Sequence, residues 1–235
     1  MLLVNVLAFG KGKKIEVNGE KVVVEEGIYA KLETTLGDIL IELNTSMAPM
    51  TSASFVLLAE GTMPLLLEKY QGKPYFNGLT FHRVIPEFMI QGGDPDGNGQ
   101  GGPGYQFPNE VSDSLAHNKG VISMANAGPG TNGSQFFITV AETHQLDGGY
   151  SVFGKVLAGQ NVADSISKVD RNKQDKPNAP VIMNTVSIIR VGKTFKKWDA
   201  YAAFEAGKSA AEAAKIEEEA RKIREEEEAK AKSEA

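Results

Sequence analysis

The stretch Phe81–Asp94, FHRVIPEFMIQGGD, sets one guanidinium, Arg83, among the apolar residues Phe81, Val84, Ile85, Phe88, Met89 and Ile90. Taking an unpaired guanidinium out of water is expensive. An arginine here therefore needs a partner or a task. Glu87 and Asp94 are close enough in sequence to pair with it, and Gln91 with Gly92 and Gly93 follows just behind. The run is short, apolar and bounded by turn residues, which reads as a buried strand.

Working outward, GVISMAN, SQFFITV, YSVFGKVL and NTVSIIRVG have the same character. AKLETTLGDILIEL reads as two short strands around Leu36-Gly37-Asp38. Two stretches carry a helical period instead. In MAPMTSASFVLLAEG, Thr51 is the expected cap, Phe55, Leu58 and Ala59 share a face, and Gly61 ends the helix; the second is GQNVADSISKV. Many short strands with two isolated helices predict a mainly β fold, a closed barrel with helical caps.

This domain spans residues 28–192. Residues 1–27 form an N-terminal extension, in which Asn18-Gly19 between two alternating runs predicts a β-hairpin with a type I′ turn. Its first ten residues, MLLVNVLAFG, read equally as a clipped signal sequence or as a strand, which leaves the compartment open between cytoplasm and periplasm. Residues 193–235 form a charged helical tail or linker, with helix expected from about Lys197 to Lys232. There Glu217, Glu218 and Glu226 each precede a base by four residues, which supports a helix. The apolar seam of Ala213, Ile216, Ala220 and Ile223 is thin, so the tail reads as a solvated helix, with a weak coiled coil as the alternative. Near its start, Trp198, Tyr201 and Phe204 stand three apart and can dock on the barrel.

Composition removes several classes of function. A hydrophobic fraction of 41% suffices for a real core, and 25 glycines favour a turn-rich β fold. The net charge of −5, without a basic stripe, excludes general affinity for nucleic acid. The absence of cysteine excludes disulfides, thiolate zinc sites and thiol catalysis. No stretch approaches the roughly 18 apolar residues of a transmembrane segment.

Three glycine-rich motifs look functional and are rejected on context. GNGQGG (97–102) satisfies the dinucleotide spacing, yet Asp94-Pro95-Asp96 precedes it and Pro103-Gly104 follows, where a strand and a helix are required. DPDGNG (94–99) opens like a calcium loop, but its twelfth position is Tyr105 instead of a bidentate glutamate. GPGTNGS (128–134) lacks a phosphate-binding lysine. His82, His117 and His144 have no metal-ligand spacing and read as structural or surface histidines. Ser134 lacks the context of a hydrolase nucleophile. No metal and no cofactor is expected.

FHRVIPEFMIQGGD, GNGQGG, ISMANAGPGTNGSQFFIT and LDGGYSVFGKV, in that order, closely resemble the cyclophilin family of peptidyl-prolyl cis–trans isomerases, from about Ala30 to about Val191. The segment LLLEKYQGKPYFNG (65–78) looks like a family-variable insertion. The resemblance implies a closed eight-stranded antiparallel β-barrel capped by two helices, with the active site on the outside of one face. It places Arg83, Phe88, Met89, Gln91, Gly99, Ala125, Asn126, Ala127, Gln135, Phe137 and Leu146 in the catalytic groove. Two positions depart from the common pattern: Gln145 stands where many members carry tryptophan, and Tyr150 where many carry histidine. Such changes point to the bacterial branch of the family. They also imply weak binding of the family's cyclic peptide inhibitor.

The implied reaction gives Arg83 its task. A peptide bond resists rotation with a barrier of about 18–20 kcal/mol, because the nitrogen shares its lone pair with the carbonyl. Both isomers of an X-Pro bond are accessible, but they exchange over tens to hundreds of seconds. In the twisted state the prolyl nitrogen becomes an acceptor, and a fixed guanidinium can bind it there better than in the planar state. By chemistry, Phe88, Met89, Phe137 and Leu146 suit a slot for the pyrrolidine ring. Gln91 and the backbone of Asn126 suit the substrate's own backbone, and Gln135 suits orienting Arg83. The partners implied are proline-containing peptides and unfolded or folding proteins. Read singly, Phe88, Met89 and Phe137 read sooner as core residues, and Arg83 can be a structural cation pairing Glu87 or Asp94. A binding module that only holds proline segments, and an assembly role for the tail, are the rival functions.

Overall fold

Asn18 and Gly19 both take positive φ, 53° and 81°, which two-residue hairpin turns require. They join β1 (Lys13–Val17) to β2 (Glu20–Val24) in an antiparallel hairpin. The structure, a computed structural model, describes residues 12–233; the expectation for residues 1–10 lies outside the described residues. The remaining strands are β3 (Gly27–Thr34), β4 (Gly37–Leu43), β5 (Arg83–Ile85), β6 (Met89–Gly92), β7 (Val121–Met124), β8 (Phe136–Thr139), β9 (Val152–Ala158) and β10 (Met183–Val191). The helices are α1 (Pro49–Glu60), α2 (Gln160–Ser167), the single turn α3 (Lys193–Lys196) and α4 (Ala200–Ser233).

The eight strands β3 to β10 form one curled antiparallel sheet in the order β10-β3-β4-β9-β7-β8-β6-β5. The expected closed barrel is corrected here, since the edge strands β5 and β10 do not pair. β5 has only three residues, and Pro177 and Pro180, which have no N–H to donate, precede β10. The seam is crossed instead just upstream, by a bridge between Thr80 and Ile182 and by the Phe81 N–H donating to the Val181 carbonyl at 2.9 Å.

Burial follows from what lies on each face. The inner faces of β3 and β4 bury Ile28, Ala30, Leu32, Ile39, Ile41 and Leu43. Their outer residues Tyr29 and Leu40 are also buried, because the hairpin covers them with Ile15, Val17 and Val24. The Asn18 side chain locks that cover in place. It donates to the Asp38 carbonyl at 3.0 Å and accepts the Asp38 N–H at 2.7 Å.

Helix α1 departs from the sequence reading at its start. Pro49 opens it and Thr51 lies inside the first turn. The first-turn donors are taken from far along the chain. The N–H groups of Met50 and Thr51 donate to the Glu110 carboxylate at 3.0 and 2.7 Å, and the Thr51 hydroxyl does so at 2.8 Å. Gly61 ends the helix as expected, in the left-handed conformation. The expected single apolar face is also too narrow, for every residue from Met50 to Ala59 is buried. One side meets the sheet core through Phe55, which packs on Phe76 at 4.8 Å and Phe136 at 5.5 Å. The other side is covered by α4, whose Gly207 lies directly against Met50.

The tail therefore has a packed root. Phe204 is fully buried between Tyr105 and Phe107, with ring centroids at 5.8 and 5.7 Å. Trp198 packs partly against the core, whereas Tyr201 stays exposed. Beyond Ala211 the described side chains of α4 are solvated.

Candidate active site

In β5 the burial pattern alternates, and Arg83 takes an outward position. The opening stretch thus does not bury its guanidinium; Arg83 is exposed on the outer face of the sheet. Among the described residues it forms no ion pair, with Glu87, Asp94 or any other acid. The Asp94 carboxylate is satisfied locally instead. It accepts the N–H groups of Asp96, Asn98 and Gly99, which accounts for the calcium-loop appearance of DPDGNG.

What holds Arg83 is register. β5 pairs with β6 so that Arg83 faces Gln91, and β6 pairs with β8 so that Gln91 faces Phe137. The Arg83 Nη1 donates to Gln91 Oε1 at 3.4 Å, and Gln91 Nε2 donates to Gln135 Oε1 at 3.0 Å. Gln135 Nε2 then donates to the carbonyls of Gly99 and Gly101 at 3.0 and 2.9 Å. Gln135 therefore reaches Arg83 through Gln91. The relay ends on fixed backbone, which orients a side chain that no carboxylate pins.

Beside the guanidinium lies a small cleft of about 170 Å³. Arg83 and Gln91 form its polar edge, and Phe88, Met89, Phe137, Leu146 and Tyr150 its apolar walls. Ala125 and Asn126 close the remaining side. Met89 and Phe137 are nearly buried at the base, while Phe88, Leu146 and Tyr150 are half-buried at the rim. Tyr150 meets the Phe137 ring edge-on, with centroids 6.0 Å apart. A second cleft of about 690 Å³ adjoins the first and shares Gln91, Ala125 and Asn126 with it. It holds the other residues expected in the groove, Gly99, Ala127 and Gln135, along the loop Gly99–Gln106. The Asn126 side chain is engaged within the protein, with Nδ2 donating to the Gly149 carbonyl and Oδ1 accepting the Gly128 N–H, both at 3.2 Å. Its backbone is what remains for a ligand.

The sequence and the fold match those of a known family. A model of the cyclophilin type peptidyl-prolyl cis-trans isomerase/CLD family matches residues 29–188, more than half of the chain. The chain belongs to the cyclophilin family. This cyclophilin is 47% identical over 165 residues to peptidyl-prolyl cis-trans isomerase A of Mycobacterium tuberculosis, covering 68% of this chain and 91% of that protein. It is 46% identical over 171 residues to peptidyl-prolyl cis-trans isomerase B of Streptomyces anulatus, covering 69% of this chain and 97% of that one. Its structure is similar to that of a Cryptosporidium parvum cyclophilin type isomerase, with a TM-score of 0.62 and 33% identity over 70% of this chain and 98% of that chain. The same parasite enzyme, crystallised in the presence of the dipeptide Ala-Pro, matches with a TM-score of 0.61. The protein is a peptidyl-prolyl cis–trans isomerase.

Sequence reasoning did not place His117 beside the cleft. Read there as a structural or surface histidine, it is buried and lies directly behind Phe137, with ring centroids 5.8 Å apart. The available signal was the sequence around it. His117 stands six residues before Ser123, which opens SMANAG, and Asp147 directly follows the groove residue Leu146.

Proposed function

We propose that the small cleft holds the proline ring of an X-Pro segment and that Arg83 stabilises the twisted amide. The observation that carries this reading is the placement of Arg83. It is a solvent-reachable guanidinium with no carboxylate partner among the described residues, held by a glutamine relay at the rim of an apolar slot. A carboxylate on Arg83 would spend its donors in the ground state. Without one, the guanidinium can direct its strongest hydrogen bond to the prolyl nitrogen once resonance is lost. The slot of about 170 Å³ suits one small ring. Met89 and Phe137 supply its apolar floor, and Gln91 with the Asn126 backbone is placed to hold the flanking peptide. The step forms and breaks no covalent bond, so it calls for no nucleophile, metal or nucleotide. A five-order acceleration needs about 7 kcal/mol from all terms together. Charge-assisted hydrogen bonding in a partly desolvated site, together with positioning, has that scale.

The substrate class follows as proline-containing peptides and unfolded or folding proteins. The adjoining larger cleft supports a substrate longer than a dipeptide, whose neighbouring side chain would lie along Gly99–Gln106. NMR exchange or a protease-coupled assay on an Ala-Pro peptide tests the proposal. Wild-type protein should exchange the two isomers catalytically, and Arg83→Ala should lose most of that rate. Binding of the peptide without faster exchange would instead support a module that only holds proline segments.

A further inference from the structure

The apolar wall of the proline slot has a polar support behind it. His117 is fully buried. Its ring lies nearly parallel to that of Phe137, at 5.8 Å and 12°, and meets Tyr150 edge-on at 6.4 Å. Nδ1 lies 2.7 Å from Asp147 Oδ1, and Nε2 lies 3.0 Å from Ser123 Oγ. The Asp147 carboxyl is held down to about 2, first by the His117 backbone N–H and then by the His117 ring. An ionised carboxylate only accepts. The proton therefore sits on Nδ1, and Nε2 accepts from the Ser123 hydroxyl. Both ring nitrogens are engaged, so the imidazole has one tautomer and one orientation.

The same histidine fixes the third wall. Its backbone carbonyl accepts the Thr143 N–H at 2.8 Å, and Thr143 leads into the turn His144–Leu146. Asp147, at the end of that turn, is bonded to the His117 ring and N–H at once. Phe137, Tyr150 and Leu146 come from separate parts of the chain, and His117 touches or ties all three. An apolar ring would fill the same space without the cost of desolvating two polar nitrogens. What it would lose is the fixed orientation.

We propose that His117, oriented by Asp147, is a positioning residue of the isomerase, which holds Phe137, Tyr150 and Leu146 in the geometry that receives the proline ring. This rests on the reading of the small cleft as the proline slot. Asp147 lies at the protein surface, with its side chain 36% exposed, so its substitution leaves the packed interior in place.

The test compares Asp147→Ala, Asp147→Asn and Arg83→Ala with wild type, by kcat and KM on an Ala-Pro peptide at a temperature where all are folded. A 15N spectrum of the imidazole reports the tautomer, and the aromatic NMR signals of Phe137 report its environment. Asp147→Ala should lower kcat/KM about tenfold, change the Phe137 signals and lose the single Nδ1–H tautomer. Asp147→Asn keeps an acceptor for Nδ1–H and should restore all three. If Asp147→Ala does not fold, Asp147→Ser, too short to reach Nδ1, takes its place with the same expectations. Unchanged kcat/KM in the Ala variant, or failure of the Asn variant to rescue, overturns the positioning role. Full activity in Arg83→Ala would instead overturn the reading of the slot itself, which separates the two failures.

Discussion

Arg83→Ala should lower kcat/KM by on the order of 100-fold or more, the scale for removing one donor aimed at a transition state. Its melting temperature should hardly move, because the side chain is exposed and its hydrogen bond to Gln91 is long, at 3.4 Å. A thermal melt alongside the exchange assay checks both. Equal losses of activity and stability would mark Arg83 as a structural cation. At the rim, Gln145 is exposed beside Leu146 and offers no aromatic surface. Gln145→Trp should tighten the cyclic peptide inhibitor by about 1–2 kcal/mol, the scale of an aromatic contact in a binding interface. Titration calorimetry on the two proteins checks it, and equal affinities would show that residue 145 does not set affinity for the inhibitor. The names of these residues were readable from the motifs, but their partners were not. Nothing near Arg83 in sequence says that its register neighbour Gln91 will relay to Gln135, 44 residues away.

Helix α1 depends on a residue outside itself. Pro49 and Ala48 offer no capping side chain, and the Glu110 carboxylate takes two first-turn N–H groups and the Thr51 hydroxyl. Glu110→Ala should therefore cost about 1–2 kcal/mol of stability, the upper part of the range for a lost cap, with isomerase activity per folded molecule unchanged. Urea denaturation measures the first and the exchange assay the second. Helix α4 is two elements in one. Its root closes the core through Phe204, so Phe204→Ala should cost about 3–5 kcal/mol, as for other buried aromatic rings. Truncation after Ala211 removes a stretch whose described side chains are solvated and should leave the urea midpoint and kcat/KM near wild type. A large loss on truncation would mean that the distal helix packs on the protein or on a second copy. The sequence showed Trp198, Tyr201 and Phe204 as equal candidates for docking, and only the placement of Tyr105 and Phe107 decides that Phe204 is the one fully buried.

Across the whole molecule, two histidines make stability depend on pH. Burial pushes both His82 and His117 below the ordinary 6.5, so each is neutral in the fold. As pH falls below 6.5 the unfolded chain takes up protons that the folded one does not, and stability declines. Asp147 adds a second window. Its folded carboxyl lies near 2 against the ordinary 3.8, so its contribution is present above about 4 and is lost as pH falls towards 2. Melting temperature should thus be level between about pH 7 and 9, fall below about 6.5, and fall again between about 4 and 2. Asp147→Asn should remove the last part, while the fall below 6.5 persists because burial alone then sets His117. A melting temperature independent of pH between 7 and 5 would show that neither histidine is held neutral.

The sequence by itself determined the features that depend on neighbours along the chain. Asn18-Gly19 specifies its turn through positive φ, and Gly61 ends α1 for the same reason. The order of the motifs names the family. The tertiary structure decided everything that depends on what lies opposite. Arg83 faces solvent because β5 is an edge strand with its inner face on the core. Glu110 caps α1 across about 60 residues of chain, and His117 stands behind Phe137 because β7 and β8 pair. The sheet leaves a seam because β5 is too short to reach β10. Backbone preference and hydrophobic period act over a few residues, so they can be read locally. Contacts between distant segments arise only when strand order and register bring them together, and no local pattern encodes that choice.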